Sequence, residues 1–315
     1  MAGMTKFPQL KLTYLKKSTK SLPGLVAFLS AIGASLLIVV ATFAYNHWYA
    51  DPQRVFWGMI GNNLATNGVT RQVIQTNGPS KSNEISQITF GANPTIHIVK
   101  KISDSSSVPA TRLTLEGIGT PTDDYQRYSL IDRPPIAAQN KPDYSKIYNL
   151  WVRSGTTSGA DRDNSPPQLF NQTLFGAMIF GNLPQAKRSE LVAYLKNHPA
   201  YKVDFAKIQR VTEVGRSTYV YKTEIMLRNY AGAVQLFAKA LGLSASARIS
   251  PSSYALGDKL NVEISVDVLS RQLVKIGYPD SGAQERYSGY GLSPRLELPT
   301  RSVNSKTFQE ALRAI

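Results

Sequence analysis

The chain of 315 residues contains no cysteine. Disulfide staples, thiol nucleophiles, cysteine metal ligands and a lipid-modified cysteine are therefore all excluded. Histidine is scarce as well: His47, His97 and His198 are scattered, which leaves a zinc site or Ser-His chemistry without a constellation to rest on. The sequence has no GxSxG elbow, no P-loop and no GxGxxG after a strand-like segment, so the commonest hydrolase and nucleotide-binding signatures are missing. No cofactor and no metal is expected. Internal repeats and low-complexity segments are also lacking, and no acidic residue precedes Asp51.

The missing acids frame the first feature that is present. Residues 25–45, LVAFLSAIGASLLIVVATFAY, carry no charge, and only Ser30, Ser35, Thr42 and Tyr45 are polar. A helix of that length reaches across a hydrocarbon core of about 30 Å at about 1.5 Å per residue. Lys6, Lys11, Lys16, Lys17 and Lys20 stand before it, and the positive-inside rule places such a tail in the cytoplasm. Tyr45, Trp48 and Tyr49 follow it, where amphipathic rings favour the lipid–water boundary. The expected organisation is a basic cytoplasmic tail at 1–24, a single-pass transmembrane helix at 25–45 and an extracytoplasmic domain at 46–315. The alternative is a cleaved secretory signal ending at Thr42-Phe43-Ala44; its apolar region usually runs about 7–15 residues, shorter than this one. Either reading exports the same domain.

Lysine and arginine outnumber acids 36 to 21. Five of those cations lie in the tail, so the outer domain keeps an excess of ten. On a tethered outer domain this suits anionic lipid headgroups, an anionic polymer of the cell envelope or a protein partner, or simply solubility. No basic-aromatic motif points to nucleic acid.

Past the apolar run, Asp51-Pro52 opens an amphipathic helix with Val55, Phe56, Met59, Ile60 and Leu64 on one face. Short β-branched and aromatic segments follow, separated by turn residues: 69–76, 84–90, 95–101, 111–117, 125–131 and 147–153. Residues 155–167 read as an exposed loop. Helices are expected at 183–197 and 229–241, the latter with Tyr230, Val234, Phe237 and Leu241 along one stripe and Gly242 as its stop. Strand alternation returns at 217–225, 259–268, 272–278 and 285–290. In 259–268, Leu260, Val262, Ile264, Val266 and Val268 oppose Asn261, Glu263, Ser265 and Asp267. The fold class is therefore α+β: one N-terminal transmembrane helix, then a curved antiparallel sheet of eight to ten strands forming a half-barrel, with two late helices as lids.

Paired carboxylates were weighed for glycoside chemistry, which needs two such groups about 5–10 Å apart. Asp123-Asp124 and Asp161-Arg162-Asp163 qualify by proximity, but both lie among turn residues. Ser80-Lys81 and Ser305-Lys306 are adjacent pairs of a kind chance supplies. Asn171-Gln172-Thr173 fits a glycosylation sequon in the same sense. The reading is non-enzymatic. The aromatics, 16 Tyr, 11 Phe and 3 Trp, are more informative. Trp151, Tyr219, Tyr221, Tyr230, Val234, Phe237, Val262, Ile264 and Val266 are the candidate cavity-lining set; taken one by one each reads more readily as ordinary core, and as a group they suit a pocket.

Four stretches carry a family likeness: DPQRVFWGMIGNNLATNGVTRQV, RLTLEGIGT, LNVEISVDVLSRQLVKIGYP and ERYSGYGLSPRLELPT. Their layout resembles the LolA/LolB-like superfamily and, within it, the LppX/LprG-like extracytoplasmic lipid-binding proteins. That resemblance implies a half-barrel with helical lids around a hydrophobic cavity that takes a membrane lipid or another hydrophobic ligand. The chain departs from those lipoproteins in lacking their modified cysteine, so a transmembrane helix takes the place of the acyl anchor. The rival expectation is a structural or interaction protein of the cell envelope whose barrel is filled by its own side chains.

Overall fold

The computed structural model describes residues 22–314 apart from 92, 134–141, 156–167, 175, 214 and 244–249. The chain divides into two units, Met1–Asp51 and Pro52–Ile315.

The described part of the first unit is one helix, α1 (Leu22–Ala44), continued by a wider turn at Tyr45–Tyr49. Leu36, Leu37, Ile38, Val39 and Phe43 are all more than 60 % exposed. The hydroxyls of Ser35 and Thr42 each donate to the carbonyl four residues back, Ala31 and Ile38, an internal solution that needs no solvent partner. The expected span at 25–45 falls on this helix. Among the described residues, however, no helix is long and apolar enough to cross a membrane. The tail at 1–21 lies outside the described residues.

The second unit is α+β. α2 (Pro52–Asn63) leads into β1 (Gly68–Asn77), β2 (Ser80–Thr89), β3 (Thr95–Asp104), β4 (Thr111–Gly119), β5 (Asp123–Asp132) and β6 (Val152–Gly155). Then come α3 (Leu169–Leu174), α4 (Gln185–Asn197), β7 (Tyr201–Val203), β8 (Gln209–Glu213), β9 (Arg216–Met226) and α5 (Leu227–Ala240). The series ends with β10 (Lys259–Asp267), β11 (Leu273–Tyr278), β12 (Ala283–Ser288) and α6 (Ser305–Arg313). The strands form one sheet in the order β6-β5-β4-β3-β2-β1-β12-β11-β10-β9-β7, with β8 also on β9. Every pairing between these strands is antiparallel. Two meanders, β1–β6 and β9–β12, thus meet where β1 pairs with β12.

The registers fix which side chains share a face. Tyr221 lies opposite Ile264, Ile264 opposite Ile276, Ile276 opposite Glu285, Glu285 opposite Val73, and Val73 opposite Glu84. The helices cover this face. α2 buries Val55, Phe56, Met59 and Ile60, with the Phe56 ring 5.2 Å from that of Tyr221. α5 buries seven residues, including Tyr230, Val234 and Phe237. The other face carries Lys222, Glu224, Asn261 and Glu263, the polar half of the alternation. Both outer edges are paired or lined. The two short strands β7 and β8 flank β9, and a C-terminal segment at Val303 runs beside β6, with Arg153 N–H donating to the Val303 carbonyl at 2.9 Å.

The sheet has twelve strands, not eight to ten, and α3 and α6 join the two expected helices. The additions are short: β7 has 3 residues, β8 has 5, α3 has 6 and α6 has 9, too few to establish a period in sequence. The strand expected at 147–153 starts only at Val152. A turn at Tyr144–Lys146 precedes it, where the Asp143 carboxylate accepts from Ser145 N–H at 2.9 Å and offers the backbone an alternative to the ladder.

Candidate functional site

At the junction of the two meanders sits a buried polar group on the covered face. The Arg71 guanidinium forks onto Glu285, with Nε to Oε2 at 2.9 Å and Nη2 to Oε1 at 2.6 Å. Tyr278 donates to Glu285 Oε1 at 2.8 Å, and Tyr287 donates to Oε2. Burial alone pushes the Glu285 carboxyl up, but the bonds and charge of Arg71, with the two hydroxyls, outweigh it and hold the group below its ordinary value. The phenols answer in the opposite direction: burial first, and then the Glu285 charge, raise Tyr278 and Tyr287. This network splits the covered face in two.

On the β9–β12 side the described side chains are closely packed. Tyr221, Phe237, Ile264 and Val266 are fully buried, and Tyr219, Tyr230, Val234 and Val262 are nearly so. The strap at 176–183 crosses this region. The Tyr230 hydroxyl donates to the Gly176 carbonyl at 2.6 Å, Gly181 N–H donates to the Asn63 carbonyl, and Phe180 stacks on Tyr287 at 5.1 Å. A Cβ built on Gly181 would lie 2.7 Å from a Phe237 ring carbon, so only glycine fits under that ring. Eight of the nine candidate lining residues are thus brought together.

The ninth, Trp151, is elsewhere. It lies half-buried beside β6 with the Arg127 guanidinium 4.5 Å from its ring centroid. Arg127 also holds Glu116 at 2.7 Å through Nε, and the other oxygen of Glu116 sits 2.8 Å from His97 Nε2.

Arg127 is also part of a groove of about 300 Å³ between β4–β6 and α6, lined by Leu115, Gln126, Tyr128, Val152, Ser154 and Phe308. Tyr128 and Phe308 stack with centroids 6.1 Å apart. α6 buries no residue of its own, so Phe308 is its principal hold on the sheet. Next to the groove, α3 lies close on β4 because Gly119 admits it: a Cβ there would sit 2.7 Å from Ile96 and 2.9 Å from the Phe170 backbone. Reading the sequence alone missed this groove. Its apolar residues include Leu115 on β4 and Phe308 near the end of the chain, each unremarkable where it stands in the sequence.

Asp123 and Asp124 have structural partners. Asp123 holds Arg153 at 3.1 Å. Asp124, on the opposite face of β5, accepts from the backbone N–H groups of Gln168 and Leu169 at the start of α3, and burial raises its pKa. Asp161 and Asp163 lie outside the described residues. Ser80 and Lys81 open β2, and Ser305 and Lys306 open α6. Among the described residues no group of three potential metal ligands is present.

No family model matches the sequence. No curated protein matches it either. Among solved structures the chain is similar to LprF from Mycobacterium bovis, at 13% identity over 78% of this chain and 96% of that one, with a TM-score of 0.36. A likeness so distant transfers nothing to this chain.

Proposed function

We propose that this chain is a membrane-anchored, extracytoplasmic, non-enzymatic domain, with its sheet curved as a half-barrel, that binds one apolar chain of a lipid or similar hydrophobic molecule in the groove between β4–β6 and α6. The observation that carries the reading is the contrast between the two halves of the covered face. Tight packing fills the side under α2 and α5, whereas the side under α6 keeps about 300 Å³ lined by Leu115, Tyr128, Val152 and Phe308, a volume at the lower end of small-molecule sites. Burying ten methylenes there contributes about 8 kcal/mol before association costs. The uncharged run at 25–45, the lysines before it and the exposed apolar side chains of α1 support the anchor and its orientation.

The full chain in neutral-lipid nanodiscs, titrated with a fluorescent fatty-acyl probe, tests the reading. Phe308→Ala weakens binding of the probe at least fivefold while thermal unfolding stays within a few degrees of the parent. Undiminished binding in that variant would place the ligand elsewhere. The tight fit of Phe237 over Gly181 favours a second reading, a filled structural domain of the cell envelope, and failure of the parent to bind any acyl probe would select it.

A further inference from the structure

We propose that the groove between α2 and α4 holds the phosphate-bearing headgroup of an anionic lipid. This open groove of about 530 Å³ lies on the helical side of the domain, far in sequence from Phe308, and is lined by Trp57, Asn62, Gln185, Arg188, Ser189 and Lys196 among others. It has two cations, and no carboxylate is among its described lining residues. The Lys196 ammonium sits 5.0 Å from the centroid of the Trp57 ring, a cation on an aromatic platform. Arg188 contributes a second observation: its Nε is buried and has no hydrogen-bond partner among the described residues. A buried guanidinium N–H without an acceptor is costly, and an oxyanion in the groove is the acceptor it lacks.

The donor set selects the ligand's chemistry. A guanidinium, an ammonium, the Ser189 hydroxyl and the Gln185 amide line the groove, a donor set richer than the two oxygens of a carboxylate can use and suited to the oxygens of a phosphate. Trp57 and Val192 add apolar surface beside those donors. A free phosphate has no use for that surface, whereas the glycerol and first methylenes of a lipid do. The choice of a lipid rests on the anchored reading above; it does not require an acyl chain beneath Phe308.

The full chain in neutral-lipid nanodiscs is titrated with dihexanoyl phosphatidate, dihexanoyl phosphatidylcholine and inorganic phosphate, followed by calorimetry. Phosphatidate is expected to bind at least tenfold more tightly than either of the others, and its affinity to fall as salt rises from 50 to about 300 mM because exposed charges are screened. Arg188→Gln combined with Lys196→Gln lowers phosphatidate affinity at least tenfold, and Lys196→Gln alone, at an exposed position, lowers it about threefold. The double variant keeps its binding of the fatty-acyl probe, which separates this site from the one at Phe308. Phosphatidate binding unchanged in the double variant, or absent in the parent, would overturn the proposal. So would inorganic phosphate or phosphatidylcholine binding as tightly as phosphatidate.

Discussion

The side chains with the largest consequences are the buried Arg71 and Glu285. An ion pair of this kind is a weak source of net stability, yet removing one partner strands the other. Arg71→Met is therefore expected to destabilise the domain by about 3–5 kcal/mol, measured by urea unfolding at pH 7. The pH dependence gives a sharper signature. In the parent, Glu285 has a folded pKa below its ordinary value of 4.5, so its contribution is fully present above that value and is lost as pH falls through the folded pKa. Without Arg71 the burial penalty dominates and raises the folded pKa. The variant then gains stability on acidification below neutral pH, where the parent loses it below about 4.5. Parallel losses in the two proteins would contradict the assigned balance of charge and burial. Phe237, fully buried against Gly181, makes a second test: Phe237→Ala is expected to cost about 3–5 kcal/mol as a cavity variant. A loss under 1 kcal/mol would mean that the ring covers open space.

At the level of elements, α5 and α6 are opposites. α5 buries seven residues and α6 none, so amide exchange in the intact chain is expected to be much slower along α5 than along α6. Equal protection would remove the case for α6 as a detachable cover. The difference also explains what was legible in the sequence. The stripe Tyr230, Val234, Phe237 and the alternation Val262, Ile264, Val266 announced a helix and a strand sharing an interior, and they do. What periodicity could not settle was whether that interior is open, because a residue lining a ligand and a residue packed on a neighbour follow the same spacing. The distinction hangs on details such as Gly181 lying beneath Phe237, 56 residues away in sequence. Trp151 falls in a strand that the sequence places around the same concave face as the others, and only the strand order, with β6 and β9 near opposite ends of the sheet, separates them. The groove residues Tyr128 and Phe308 are likewise 180 positions apart, and no local pattern links them.

At the scale of the whole molecule, the proposed anchor rests on a lysine-rich tail, an uncharged run and a basic domain. Protease applied outside intact cells should degrade the domain that begins at Pro52 and leave a protected fragment containing the tail lysines; a mature chain beginning near Tyr45 would contradict the anchor. The central claim is that a hydrophobic ligand lies under α6 and not under α5. Its most direct test is photo-crosslinking of the full chain in nanodiscs with a diazirine fatty acid, followed by mass-spectrometric mapping of the labelled peptides. The account predicts labels on the peptides containing Tyr128, Val152 and Phe308, competed by unlabelled fatty acid. Competable labelling confined to peptides of α5 and β10, or no competable labelling anywhere in the domain, would contradict it.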